Sequence, residues 1–308
     1  MDQPYEVTSD IQAWLQKSLG AKSEIKELIP LKGGTSSHLF EFTAVRDGRF
    51  EPFVLRLFTL EEWLAMEPDL AKHEAASLRE AGKTGLTVPE IVAFDETGEL
   101  CGVPAVLMTK ISGEVVLQPD DEKHWLKEMA AALSKIHRHK AEGFGWEYFA
   151  YNNALKMERP VWSSCPDEWM RAFRIVAGIR PHAEFCLIHR DYHPTNVLWE
   201  GAQISGIVDW VNACRGPAGI DVGHCRLNLA LLYGIPAADG FLAAYEQAAG
   251  EKFTYHPYWD LSALVDFAEG TPTVYPGWTA FGVAGLTDEL MRHRFDGYLL
   301  NLLKRFDR

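Results

Sequence analysis

His189-Arg190-Asp191-Tyr192-His193-Pro194-Thr195-Asn196, followed by Gly206-Ile207-Val208-Asp209-Trp210, is the stretch from which this chain is read. An Asp and an Asn five positions apart, on a loop between two short strand-like runs, can point into one place. A second Asp, at the end of the next strand, can join them. The set supplies one free carboxylate, Asp191, together with an amide oxygen from Asn196 and a carboxylate oxygen from Asp209. That is the sparse oxygen ligation magnesium prefers, with substrate phosphates and water completing its shell.

Upstream of the loop the pattern is strand-rich. A capping-box spacing at Ser9-Asp10-Ile11-Gln12 opens a helix that carries Ile11, Trp14, Leu15 and Leu19 on one face and stops at Gly20. Strands are expected over 24–32, 38–46 and 51–58, with a glycine-serine turn at 33–37 and an Asp47-Gly48 turn between the last two. A helix through Glu74, Leu78 and Ala81 and strands at 90–94 and 103–109 follow. Beyond Ile111-Ser112-Gly113 the periodicity turns helical, at 120–138, 167–179, 221–233, 239–249 and 288–304, interrupted by short strands at 185–188, 196–199 and 204–210. This shift places a lobe boundary at 109–113 and predicts an α+β chain of two lobes, β-rich then mainly helical: 1–108, a hinge at 109–113, and 114–308.

The composition agrees. The 308 residues are 47% hydrophobic and 24% charged, which suits a chain with a sizeable core and excludes disorder or a small stapled scaffold. Thirty Lys+Arg against 43 Asp+Glu leave a formal charge of −13, the wrong sign for a nucleic-acid or anionic-membrane partner. Five scattered cysteines without a C-x-x-C pair suggest reduced thiols. An acidic start and the absence of a long apolar run lead to the expectation of a cytoplasmic protein.

With these residues in view, the sequence resembles the aminoglycoside phosphotransferase and choline kinase family, the small-molecule branch of the protein-kinase-like fold. The H-x-D-x-x-x-x-N pattern matches at His189, Asp191 and Asn196, and the family's metal aspartate at Asp209. The glycine-rich turn matches Gly33-Gly34-Thr35-Ser36-Ser37, the third-strand cation Arg56, the helix carboxylate Glu74, and the hinge Leu107 to Gly113, with a later structural aspartate at Asp221. The resemblance implies a bilobal fold with a nucleotide-binding N-terminal lobe and a catalytic, acceptor-binding C-terminal lobe. It implies that Asp191 accepts or orients the acceptor hydroxyl proton and that Asn196 and Asp209 hold Mg2+. Gly33 to Ser37, Arg56 and Glu74 would serve the phosphates of ATP or GTP, and main-chain groups of Met108, Thr109 and Ile111 would serve its base. His189 and Asp221 would be scaffold residues, Asp221 suiting a helix N-cap as well.

Two positions depart from the family pattern. Arg56 stands where protein kinases carry lysine, and Ser37 where many relatives have asparagine. An arginine stays charged and can fork between phosphate and Glu74. The resemblance implies transfer of a γ-phosphate to a small-molecule hydroxyl, with an antibiotic (aminoglycoside or macrolide, hence resistance) as the leading acceptor and an amino alcohol, sugar or homoserine next. The acidic composition favours a cationic acceptor. A nucleotide-binding pseudokinase is the other class, motivated by Arg56 and opposed by the retained Asp191, Asn196 and Asp209. His189-x-Asp191-x-His193 also has metallohydrolase spacing, yet the sequence shows no second histidine cluster nearby, and His193 is left without a role. Trp162, Trp169, Trp259 and Trp278 fall where relatives build the acceptor pocket, and Asp260, Asp266 and Glu269 read either as acceptor-site acids or as a charged helix face.

Overall fold

Alternation along two nine-residue strands organises the first part of the molecule. The computed structural model describes residues 5–31, 37–251 and 253–307, and the chain forms two compact units, Met1–Gly113 with Ser205–Asn212 and Glu114–Ile204 with Ala213–Arg308. The first unit contains α1 (Ser9–Leu19), β1 (Glu24–Ile25), β2 (Ile29–Pro30), β3 (His38–Arg46), β4 (Arg49–Leu57), α2 (Glu61–Met66), α3 (Leu70–Ala81), β5 (Ile91–Asp95) and β6 (Ala105–Thr109). Among the described residues these strands make one antiparallel sheet in the order β1-β3-β4-β6-β5, with β2 also paired to β3. Asp47 and Gly48 turn β3 into β4 with φ of 49° and 76°, the positive pair that a tight hairpin requires.

Phe40, Phe42 and Ala44 of β3 and Phe53, Leu55 and Leu57 of β4 lie on one face and form a core with Ile11, Trp14, Leu15 and Leu19 of α1. Period two therefore turns Arg56, between Leu55 and Leu57, to the other face, where it meets Glu74 of α3. Two local expectations change. The first helix is capped by Thr8, whose Oγ accepts from the Ile11 amide at 3.3 Å, and Ser9 is already helical. The strand expected over 24–32 is two short strands on β3, with 26–28 outside both.

The second unit contains β7 (Glu114–Val115), α4 (Glu122–Arg138), α5 (Pro166–Val176), β8 (Phe185–Ile188) and β9 (Val197–Glu200). β10 (Gln203–Ile207) then carries the chain back into the first unit. After it come β11 (Cys214–Pro217), α6 (Ala218–Tyr233), α7 (Ile235–Ala249), α8 (Tyr258–Asp266), α9 (Pro276–Ala280) and α10 (Asp288–Phe306). β8 pairs with β11 and β9 with β7, so both ends of the 189–196 loop are fixed by antiparallel ladders. β11 has no counterpart in the sequence reading, because Cys214-Arg215-Gly216-Pro217 carries no alternating or β-branched signal; only its pairing with β8 makes it a strand. None of the five cysteines is in a disulfide, and no helix among the described residues is long and apolar enough to cross a membrane.

α6 is buried along nearly its whole length, and two glycines one turn apart let α8 approach it. A Cβ at Gly223 would stand 2.4 Å from the Trp259 carbonyl oxygen, and one at Gly219 would stand 2.3 Å from the Trp259 ring. Gly297, within α10, has nothing within 4 Å of such a Cβ. Gly223→Ala is therefore expected to lower the unfolding free energy by about 1–3 kcal/mol through overpacking. Gly297→Ala should raise it by about 0.5–1 kcal/mol through helix propensity. Urea denaturation of the two variants beside the parent chain checks the contrast.

Candidate active site

A buried carboxylate sets the 189–196 loop. Asp221 is wholly buried in the first turn of α6. Its Oδ2 accepts the His189 amide at 2.7 Å, its Oδ1 accepts the Arg190 amide at 2.6 Å, and Nε2 of His137 lies 3.0 Å from Oδ2. Burial raises the Asp221 pKa, but hydrogen bonding and charge from His137 and His189 outweigh it and hold the carboxyl below its ordinary value. Pro217, not Asp221, occupies the N-cap position, so the capping role suggested by sequence gives way to the scaffold role. His189 is fully buried on the same anchor.

Arg190 takes φ of 67°, in the left-handed region that non-glycine residues rarely adopt. Three contacts hold it there. Its amide is on Asp221, its Nη2 donates to the Phe149 carbonyl at 2.7 Å, and its guanidinium lies 4.3 Å from the Phe149 ring centroid and 3.9 Å from that of Tyr151. The next residue, Asp191, is thereby presented with its side chain 31% exposed.

Asn196, in a short 3-10 turn over 194–196, donates its Nδ2 to the Asp191 carbonyl at 2.8 Å and to Asp191 Oδ2 at 3.2 Å. With the amide nitrogen so used, the end of Asn196 able to ligate a cation is its oxygen, the hard neutral donor that suits magnesium. Asp191 Oδ1 lies 3.1 Å from His224 Nε2 and 3.6 Å from His193 Nε2. Burial raises the Asp191 pKa, and the charge of His193 with the hydrogen bond and charge of His224 reverse that, leaving the carboxyl well below the usual range. His224 has no motif to announce it. The available signal is that Asp221, His224 and Asn228 share one stripe of the buried helix α6.

The first unit holds a second polar cluster. Arg56, 4% exposed, places Nε 3.2 Å from Glu74 Oε2, donates from Nη2 to Asp209 Oδ1 at 2.8 Å and from Nη1 to Ser37 Oγ at 3.3 Å. Asp209 has φ of 66°. Burial lifts the Glu74 carboxyl to about 7, against the lowering influence of Arg56 and with a further rise from Asp209. The stretch carrying Asp209 is tied to this unit: Ile207 donates its amide to the Thr87 carbonyl at 3.0 Å, and Ser205 Oγ donates to the Ser112 carbonyl at 2.7 Å. A Cβ at Gly206 would stand 2.6 Å from Ile111 Cγ2. Met108 is buried in β6. The amides of Thr109 and Lys110 donate to the carbonyls of Glu90 and Pro52, which removes the Thr109 N–H as a donor to a base and leaves main-chain oxygens and Ile111 for that expectation. Gly33, Gly34, Thr35 and Ser36 lie outside the described residues.

Several further candidates are structural. Asp260 is wholly buried, accepts the Tyr298 hydroxyl at 2.8 Å and lies 3.2 Å from Arg226 Nε, so it belongs neither to a charged face nor to an open acceptor site. Trp169 is buried and donates its indole N–H to Asp296 at 2.9 Å, with Trp162 edge-on to it. Trp259 faces the α6 glycines, and Trp278 is buried. Burial lifts the Asp266 carboxyl to about 6, opposed by the charges of Arg190 and His224, while Glu269 is exposed.

The family model of the phosphotransferase enzyme family matches residues 27–261. Homoserine kinase of Rhizobium meliloti (strain 1021) is 29% identical over 145 residues, 42% of this chain and 42% of that protein, so the chain matches less than half the length of such curated relatives. Aminoglycoside phosphotransferase APH(4)-Ia has a TM-score of 0.61 at 16% identity, covering 95% of this chain and 98% of its own. Macrolide 2′-phosphotransferase MphH from Brachybacterium faecium has a TM-score of 0.55 at 14% identity, covering 94% and 98%. The α+β, protein-kinase-like fold expected from the sequence is thus the fold of this chain.

The buried Glu74 leads to a pH-dependent stability. Its folded pKa of about 7 lies above the ordinary 4.5, so the native state binds the proton more tightly than the unfolded chain. The stabilisation from this proton is complete below the unfolded value and is lost as pH rises through the folded one. The stability of the parent chain minus that of Glu74→Gln should therefore fall between about pH 4.5 and 7 and be level on either side, as read from urea curves at a series of pH values.

Proposed function

We propose, since the chain belongs to the phosphotransferase enzyme family, that it is a magnesium-dependent kinase moving the γ-phosphate of ATP or GTP to a hydroxyl of a small molecule. The observation that carries this reading is the Asp191 carboxylate, ionised, presented to solvent and held by Asn196 on a loop whose preceding amides are fixed to Asp221. Phosphoryl transfer asks mostly for positioning and charge neutralisation. A carboxylate of lowered pKa stays ionised and suits that demand by accepting the hydrogen bond of the acceptor hydroxyl and so orienting it. The hydroxyl oxygen bonds to phosphorus as the bond from the γ-phosphorus to the departing nucleoside diphosphate breaks, and the carboxylate receives the proton late in that step. Asn196 and Asp209 are the residues that would offer oxygen donors to Mg2+, as the family resemblance implies, and the ion would supply neutralisation of charge on the nucleotide phosphates. Arg56 supplies a fixed positive charge to those phosphates, steadied by Glu74, and Gly33 to Ser37 would cover them with main-chain N–H groups.

For the acceptor we place a small amino alcohol of the homoserine type first. Homoserine kinases are among the relatives matched by sequence. An aminoglycoside or macrolide is the second reading, favoured by the likeness in fold to phosphotransferases of both drug classes along nearly the whole chain.

A coupled kinase assay over homoserine, other amino alcohols, sugars, aminoglycosides and macrolides, with ATP and GTP in turn, tests both. Turnover on an amino alcohol with none on the drugs, and no resistance in a sensitive host, would establish the first. In whichever reaction is found, Asp191→Ala should lower turnover about a hundredfold or more with the melting temperature kept. Turnover near that of the parent would sink the mechanism. Asp209→Ala should abolish magnesium-dependent ATP hydrolysis; a chain that binds nucleotide and supports neither transfer nor hydrolysis would instead be a regulatory module.

A further inference from the structure

Asp191 lies against two imidazoles for which transfer of a phosphoryl group to a hydroxyl has no need. His193 comes from the loop itself and His224 from the middle of α6, and one ligating atom from each of Asp191, His193 and His224 falls within a set spanning no more than 4.8 Å. The two distances to Asp191 Oδ1 are 3.1 Å from His224 Nε2 and 3.6 Å from His193 Nε2. Around a tetrahedral zinc ion with bonds of about 2.0–2.2 Å, neighbouring ligand atoms lie about 3.3–3.6 Å apart. The 3.6 Å edge meets that spacing, the 3.1 Å edge is slightly shorter, and the third edge is no longer than 4.8 Å. Both imidazoles are buried, with the Tyr275 ring 5.9 Å from His193 and the Phe267 ring 5.5 Å from His224, whereas Asp191 is partly open to solvent. An ion would thus have buried nitrogen ligands, aromatic rings beside them and a route of entry.

A second observation concerns the surroundings of His224 Nε2. Asn228 Nδ2 donates to the His224 carbonyl at 3.0 Å, which identifies that atom as the amide nitrogen, and the same nitrogen lies 3.2 Å from His224 Nε2. Nε2 therefore lies between the amide nitrogen of Asn228 and Asp191 Oδ1.

We propose that Asp191, His193 and His224 form a binding site for a divalent transition-metal ion of the zinc type, and that filling it withdraws Asp191 from the acceptor hydroxyl and so inhibits the enzyme. Imidazole nitrogen selects such an ion over magnesium, which keeps to oxygen. The site stands on geometry alone; only the inhibition rests on the reading of Asp191 given above.

Cobalt(II) titrated into the untagged full-length chain without nucleotide tests the site. The expected result is one ion per chain with the visible bands of a four-coordinate nitrogen and oxygen site, displaced by zinc. Binding should be lost or weakened at least about tenfold in His193→Ala and His224→Ala, and kept in Cys165→Ser, which removes the half-buried thiol. Absence of such binding in the parent chain, or binding unchanged in both histidine variants, overturns the site. His224→Gln, with its melting temperature recorded, stands in if His224→Ala does not fold. In the kinase assay at saturating magnesium, zinc should inhibit the parent chain at least about tenfold more strongly than His224→Ala. Equal inhibition of the two overturns the inhibitory role. A chain without kinase activity that binds cobalt through these histidines would refute the proposed function and support the site.

Discussion

The charge of Asp221 is the constraint on which the second unit depends. A carboxylate without solvent contact must find hydrogen bonds, and here it finds the amides of His189 and Arg190 and the ring of His137, itself 2.5 Å from the Tyr245 hydroxyl. Three separate elements, α6, the loop and α4, are thereby referred to one atom group. The left-handed turn at Arg190 follows from that anchor, and the presentation of Asp191 follows from the turn. Stacking of the Arg190 guanidinium on Phe149 and Tyr151 adds the packing that keeps a disfavoured backbone conformation in place.

The first unit solves a related problem with the opposite sign. Arg56 is carried into the interior by strand alternation, so its charge needs partners; Glu74 and Asp209 supply them from a helix and from the chain that returns through β10. Two carboxylates share one guanidinium, and burial lifts the Glu74 carboxyl to about 7. The same alternation that buries Leu55 and Leu57 against α1 thus builds a polar cluster on the other side of the strand.

What was legible in the sequence was local. Asp47-Gly48 between alternating strands fixes a hairpin, Asp191 and Asn196 five apart fix a loop that uses both, and Arg56 within an apolar run announces a paired charge. The less legible parts depend on distant partners. β11 becomes a strand because β8 lies beside it, and Asp260 is a buried partner of Arg226 and Tyr298 although its helix pattern reads as amphipathic. The Thr109 amide is taken by Glu90 across the sheet, and His224 reaches Asp191 from a helix that carries no motif for it.

The sequence by itself determined the α+β class and singled out Asp191, Asn196 and Arg56, because periodicity, turn chemistry and motif spacing act over a few residues. Tertiary structure alone decided that Asp221 works as an anchor, that the stretch carrying Asp209 belongs with the first unit, and that two imidazoles face Asp191. Each of those outcomes depends on charges and hydrogen-bonding groups brought together from positions far apart in the chain, and it is burial that obliges them to meet.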